Sequence, residues 1–444
     1  MSDDYSLSPK EAAFIAANAY FTLAGWEKRY QFNMSGAKGK APKVSRGQAS
    51  NSVVSRNVVG KGPLSVAKTG ISGGSVTKTI GGSTGSNLLG RVKTGFGYML
   101  QFERGGKQHL VIATRGTRPE IGYPDLLTDV NISIGRHFPG IGPVHSGFYD
   151  TYKSLMPTLS SAGDVINAAD VVHCVGHSLG GAVANLVAIF AAKKGANVKL
   201  YTFGAPRVGL KDAAYDKKMN ALLGEENIYR VSHNLDPIPM IPIAPYIHVH
   251  PHIKDRNNFF LKSPISSISM DNHDTNYYIS SVGAKSWDSV RSASLAEIDM
   301  DKHYFQSWSN DENWLKRSLG VAGNKGMAIL LRILRGMLAT TGEIVTGIAT
   351  VFDLIALALK SGITFVSNIW SAAVRFIGEC ARVVGLGVEI SQSALKKLLD
   401  KMMAELKITA KLAMATASRV AKSKEFEAIL AISLAGGSLG LLMI

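Results

Sequence analysis

Hydrophobic and polar positions change texture twice along the chain. Residues 8–26 open with helix-start chemistry: Ser8 as cap, Pro9 in the first turn and Glu11 three residues after the cap. Ala12, Ile15, Ala16, Tyr20 and Leu23 then recur at helical spacing, which predicts a helix packed on the body. Residues 34–90 are rich in Gly, Ser, Lys and Thr and read as a long mobile loop or irregular β structure. Segments 94–103 and 108–114 read as two strands. From there the pattern becomes strand, turn, helix. Residues 170–175 form a short buried strand, the apolar run AVANLVAIFAA has helical length, and 198–204 and 228–233 are further strands. Strands alternating with helices predict an α/β fold with a mostly parallel sheet.

After about residue 315 proline disappears and long apolar stretches alternate with sparse charge. Ser361–Val374 and Ala428–Ile444 carry no charge at all. Both are shorter than the ~20 residues of a full membrane span. The expectation is an all-helical, membrane-prone region. Its helices either enter a bilayer as hairpins or pack on each other as a soluble bundle. The expected organisation is therefore an N-terminal helix and basic insert over 1–93, an α/β domain over 94–314 and a basic, apolar helical region over 315–444. No internal repeat of fixed period is present.

Charge sharpens this division. The net charge of +16 over 444 residues is distributed as +9 over 1–104, −1 over 105–314 and +8 over 315–444. No Asp or Glu occurs from Lys28 to Phe102. A neutral centre with basic flanks points to an anionic surface such as phospholipid, nucleic acid or an acidic partner, or simply to solubility charge. Nucleic acid is disfavoured, because the acid-free stretch shows no aromatic interleaving and no named fold. Two cysteines, Cys174 and Cys380, exclude a disulfide framework and a four-cysteine zinc site. The acidic N-terminus lacks a basic n-region and an apolar h-region, so no ordinary signal peptide is expected. Synthesis in the cytoplasm and export to a target membrane by a non-classical route follow from that expectation.

Candidate chemistry centres on Gly176-His177-Ser178-Leu179-Gly180, a G-x-S-x-G pattern between a buried strand and a helix start. The tight turn leaves no room for side chains at 176 and 180 and holds Ser178 above the sheet edge. The helix N-terminus offers N–H groups and positive dipole where an oxyanion would form. Leu179 N–H is one oxyanion donor. Thr117, after the strand VIATRGTR, offers the second through its N–H and hydroxyl. Asp236 follows the strand IYRVSH, between Asn234 and Pro237, and is placed to orient an imidazole. Asp212, Asp216 and Asp255 sit in more polar surroundings. His273 (MDNHDTNYYISSV) and His303 (DMDKHYFQSW) are both candidate bases on residue chemistry. The cluster His248, His250 and His252 suggests a metal, but Pro251 breaks the strand and no nearby Cys or Glu completes a ligand set.

In this order the pieces resemble the class 3 lipases, the fungal-lipase-like branch of the α/β-hydrolases. TGFGYML, VIATRGTR, DLLTDVN, VHSGFYDTY, VGHSLGGAVA, YTFGAPRVG, RVSHNLDPIP and HDTNYYISSV carry the likeness over about 94–282. The resemblance implies an α/β-hydrolase core with Ser178 as nucleophile, Asp236 as acid and Thr117 as oxyanion residue. It favours His273 as base, with His303 as alternative, and puts 119–135 where the family has its lid. The basic insert and the C-terminal region depart from the fungal enzymes. They are similar in layout to bacterial lipase effectors delivered into rival cells by contractile secretion machines. That likeness implies a secretion-machine component and a neutralising immunity protein as partners.

The function these residues lead to is hydrolysis of acyl esters through an acyl-enzyme, without metal or organic cofactor. Basic flanks at ~1 kcal/mol per Lys or Arg near an anionic surface favour membrane phospholipid, as in a phospholipase A-type toxin. A neutral-lipid or short-ester hydrolase is the alternative. From another class, the C-terminal helices could themselves permeabilise a membrane.

Overall fold

The structure, a computed structural model, describes residues 5–22, 71, 73–84, 92–116, 135–236, 238–240, 242, 246–250, 257–267, 270–283, 285–310, 328, 332, 335 and 336. The helices are α1 (Pro9–Asn18), α2 (Ser146–Ser160), α3 (Gly163–Ala168), α4 (Leu179–Lys193), α5 (Tyr215–Leu223), α6 (Thr275–Val282) and α7 (Trp287–Asn310). The strands that matter most are β1 (Ser75–Thr84), β2 (Val92–Arg104), β3 (Lys107–Thr114), then β4 (Arg136–Phe138) and β5 (Gly142–Val144). They continue as β6 (Val171–His177), β7 (Val198–Phe203), β8 (Gly209–Leu210), β9 (Ile228–His233), β10 (Tyr246–Ile247) and β11 (Asn258–Leu261).

Seven strands form the main sheet in the order β1-β2-β3-β6-β7-β9-β11. β2 is antiparallel to both β1 and β3, and β3, β6, β7, β9 and β11 run parallel. The parallel part is buried on both faces, so its strands are nearly continuous apolar runs rather than alternating ones. The sides still alternate. Leu110 and Ile112 of β3 face one core with Phe148, Leu155 and Leu186, whereas Val111 and Ala113 face the other with Ile15, Tyr98 and Tyr278. α2 and α4 therefore cover one face, and α1, α6 and α7 the other. This is the α/β-hydrolase arrangement. A small antiparallel sheet, β10-β8-β5-β4, lies apart from it.

α1 begins with the expected capping box: Ser8 Oγ accepts from Glu11 N, and Glu11 Oε2 accepts from Ser8 N at 2.8 Å. Its end differs from the prediction, because residues 19–21 tighten into a 3₁₀ turn. The insert read as loop or irregular β contains β1, a ten-residue edge strand paired to β2. Its Gly and Thr content masked a strand that packs under α2. The boundary drawn at residue 94 accordingly falls inside β2, and α1 and β1 belong to the same body as the sheet.

The helical region after residue 315 lies outside the described residues except at 328, 332, 335 and 336, all helical. Among the described residues no helix is long and apolar enough to cross a membrane.

Candidate active site

β6 is buried along its whole length and delivers Ser178 at its C-terminal end, where α4 starts. Ser178 has φ 58° and ψ −134°, one of two described non-glycine residues with positive φ. That conformation costs of order 1–3 kcal/mol and persists because its surroundings over-determine it. Ser178 N donates to Phe203 O at 2.9 Å and Gly181 N to Ser178 O at 2.8 Å. The serine hydroxyl makes no helix cap. Leu179 is the first residue of α4, so its N–H belongs to the helix-end donors without an intrahelical acceptor. A Cβ on Gly176 would collide with the Gly180 carbonyl, and one on Gly180 with the Thr114 carbonyl. The two motif glycines are thus where strand, turn and neighbouring strand touch. Thr114 Oγ1 donates to Gly180 O at 2.7 Å and ties β3 to the turn.

The strand end that leads toward Thr117 is held by Arg115. Its Nε donates to Gly95 O and its Nη1 to Gly116 O, both at 2.7 Å, with the guanidinium 5.1 Å from the Phe96 ring centroid. Gly116 approaches the serine so closely that a Cβ there would stand 2.7 Å from both His177 O and Ser178 Cβ. Thr117 itself, and all of 119–135 except residue 135, lie outside the described residues.

Asp236 leaves the tip of β9 and is 1 % exposed. Its Oδ2 accepts from His273 Nδ1 at 2.7 Å and from Tyr278 Oη at 2.6 Å, and its Oδ1 from Ile238 N at 2.9 Å. Asn234, though only two residues before it, does not hold the carboxylate. Its amide turns away, accepting from Ser263 N at 3.0 Å and donating to Glu297 at 2.6 Å. The carboxylate is held instead from the chain on its other side.

His273 closes a 3₁₀ turn, Met270–His273, just before α6, whose N-cap Asp274 accepts from Asn276 N. In a neutral imidazole, donating from Nδ1 leaves the lone pair on Nε2. Nε2 is buried and has no hydrogen-bond partner among the described residues. The His273 carbonyl can only accept, so His177 Nε2 donates to it, at 2.9 Å; His177 Nδ1 then accepts from Tyr20 Oη at 2.7 Å. Burial, and then the neighbouring His273, push the His177 pKa well below the ordinary histidine range. His177 therefore serves as a neutral strut between the N-terminal helix and the loop that bears His273.

His303 is exposed on α7 and takes no part in this cluster. His248 Nε2 and His250 Nε2 bond separate carbonyls, Pro239 O at 2.7 Å and Ile228 O at 3.0 Å, and His252 lies outside the described residues. Among the described residues no group of three His, Cys, Asp or Glu could hold a metal ion.

Three contributors escaped the sequence reading. Tyr278 sits five residues after His273, in α6, and reaches the carboxylate because the 3₁₀ turn at Met270–His273 precedes that helix. His177 was read only as the variable residue of the motif. Gly204 has φ +55°, and a Cβ there would lie 3.0 Å from Asp236 Oδ2, His273 Nδ1 and His273 Cε1. It ends β7 in YTFGAP, where a strand running straight into glycine was the available signal.

Residues 111–246 match the class 3 lipase family. This part of the chain is similar to the class 3 lipases. The secreted mono- and diacylglycerol lipase 1 of Fusarium solani is 32% identical over 168 residues, 36% of this chain and 47% of that one. The secreted mono- and diacylglycerol lipase A of Penicillium camembertii is 44% identical over 80 residues, 17% of this chain and 25% of that one. The chain thus spans less than half the length of these relatives. Among solved structures, the Lip2 lipase of Yarrowia lipolytica gives a TM-score of 0.36 at 17% identity, covering 62% of this chain and 86% of that one. The lipase relatives are named as secreted enzymes. That finding overturns the expected cytoplasmic synthesis without a signal peptide and export by a non-classical route.

Proposed function

We propose that this lipase hydrolyses lipid acyl esters by a serine acyl-enzyme route, with Ser178 as nucleophile, His273 as base and Asp236 as acid. The observation that carries the reading is the buried Asp236–His273 pair, 2.7 Å apart, whose Nε2 is left without a partner. Ser178 Oγ attacks the acyl carbonyl as Nε2 takes its proton. Asp236 stabilises the imidazolium and keeps Nδ1 protonated. Leu179 N–H, with Thr117, receives the oxyanion, each donor being worth about 10²–10³ in rate. Nε2 returns its proton to the leaving alkoxide, and a water activated by the same nitrogen frees the acid.

The names of the relatives support mono- and diacylglycerols as the substrate class. A second reading, a phospholipase A-type enzyme acting on a membrane as a toxin, is favoured by the net charges of +9 and +8 on either side of a neutral centre. Fatty-acid release from a diolein emulsion and from phosphatidylglycerol vesicles, by wild type and Ser178→Ala, separates them. Release from the emulsion alone supports the acylglycerol reading, and release from the vesicles the phospholipase. Release that survives Ser178→Ala on either substrate sinks the serine mechanism.

A further inference from the structure

Against Asn234, two residues before Asp236, the structure holds a buried ionic cluster that the proposed reaction does not use. Arg335 is 1 % exposed. Its Nε donates to Asp301 Oδ2 at 2.5 Å and its Nη2 to Asp301 Oδ1 at 3.3 Å, while Nη1 donates to the backbone oxygen of Asn234 at 2.8 Å. One turn earlier, Arg332 pairs with Glu297 at 2.6 Å and with Asp301 at 2.9 Å. Glu297 also accepts from the Asn234 amide at 2.6 Å. Two arginines from beyond the lipase homology thus neutralise two carboxylates of α7, and both halves of the cluster converge on Asn234, two residues before Asp236. The backbone fit is equally close, since a Cβ on Gly336 would collide with the Asp301 carbonyl.

The placement has a mechanical meaning. β9 ends at His233, so Asn234 and Leu235 are the irregular residues that aim Asp236. Asn234 is fixed on one side by β11, through Leu261 O to its N–H at 2.9 Å and Ser263 N to its side chain. Its carbonyl is fixed on the other side by Arg335. A hydrogen bond from a buried guanidinium is directional and stiff, because the fork is planar and already oriented by Asp301. Loss of Arg335 removes the donor to the Asn234 carbonyl and leaves Asp301 with one cation in place of two.

We infer that Arg335 is a positioning residue that holds Asp236 in register with His273 through the Asn234 carbonyl, so that Arg335 and its neighbour Arg332 are part of the catalytic unit of this lipase. The inference rests on Asp236 being the triad acid.

The test is steady-state kinetics of the full chain on p-nitrophenyl butyrate, with thermal unfolding recorded for each variant. Arg335→Met should lower kcat by about 10- to 100-fold, the cost of a displacement of order 1 Å, with KM changed less than twofold. Arg335→Lys, which retains a charged donor, should recover most of the loss. In an Asp236→Asn background the same Arg335→Met change should alter kcat less than twofold, because its effect runs through the acid. A folded Arg335→Met with wild-type kcat, or an equal loss in the Asp236→Asn background, overturns the inference. If Arg335→Met does not fold, Asp301→Asn, which weakens the hold on the guanidinium, is compared in both backgrounds by the same criterion. Wild-type kcat in Asp236→Asn itself would instead overturn the triad reading.

Discussion

Tyr278 donates its hydroxyl to the very oxygen of Asp236 that accepts from His273, at 2.6 Å against 2.7 Å. The same hydroxyl accepts from His233 N at 3.0 Å, so one phenol links the end of β9 to the carboxylate beyond it. Burial and the adjacent carboxylate raise the Tyr278 pKa well above the ordinary range, which keeps the donor protonated. Tyr278→Phe removes a bond to a charged group and leaves His233 N without its acceptor. Loss of about 1.5–3 kcal/mol of stability is expected, measured by urea unfolding. Activity should fall by less than about tenfold, since Ile238 N and His273 still hold the carboxylate. An unchanged unfolding midpoint would show that the phenol is dispensable.

Ser178 stores backbone strain at φ 58°. Glycine relaxes it without a Cβ. Ser178→Gly should therefore raise stability by roughly 1 kcal/mol while lowering kcat by at least ~10⁴-fold. Calorimetry beside an ester assay checks both. A destabilised Ser178→Gly would mean that the hydroxyl supports the turn and that strain is not its main cost.

Gly204 has no space for a methyl group beside the Asp236–His273 pair. Gly204→Ala adds both a strained φ and an intrusion at 3.0 Å from each partner. A kcat loss of about 10²-fold is expected from the displaced imidazole. Burst titration with a fluorophosphonate should fall in parallel, because the nucleophile and its base act together. Wild-type acylation rates would rule out the steric account.

Buried histidines set the response to acid. Burial lowers the pKa of His109, His173, His177, His233, His248 and His250, the last to about 4. A histidine whose folded pKa lies below its unfolded value of ~6.5 binds more protons when unfolded across the interval between the two. Stability is then complete above pH ~6.5 and is lost as pH falls toward 4. The melting temperature should drop through that window, and His250→Gln, which keeps an amide donor for Ile228 O, should flatten the drop. A melting temperature that holds steady from pH 7 to 4 would contradict this.

Much of the core was legible because its physics is local. Buried parallel strands are uniformly apolar, so β6, β7 and β9 stood out, and the glycines around Ser178 marked the turn. The strand before Asp236 pointed to that carboxylate, whereas His273 and His303 stayed level on residue chemistry and only the family resemblance favoured His273. What stayed hidden was non-local or lacked an apolar signature. β1 is an edge strand of Ser, Thr, Lys and Gly, and its partner rather than its composition makes it a strand. Asn234 precedes Asp236 in sequence yet serves Glu297 and Ser263, because chain adjacency does not determine which way an amide turns. Nothing in the chain around Arg332 and Arg335 marks them out; only their ion pairs with Glu297 and Asp301 of α7 do.

Leu7 donates its N–H to Tyr201 Oη at 2.9 Å, and its carbonyl accepts from Trp287 Nε1 at 2.7 Å, across 280 positions of chain. Such pairings raise contact order and slow folding, since a long loop must close before either bond repays it. They also set an order of events during synthesis. A nascent chain ending at residue 280 already holds the serine turn, the acid and the base, but not the indole that fastens its first helix. The serine, acid and base are therefore written before the ties that seat them, first the indole of α7 and then the guanidinium of Arg335.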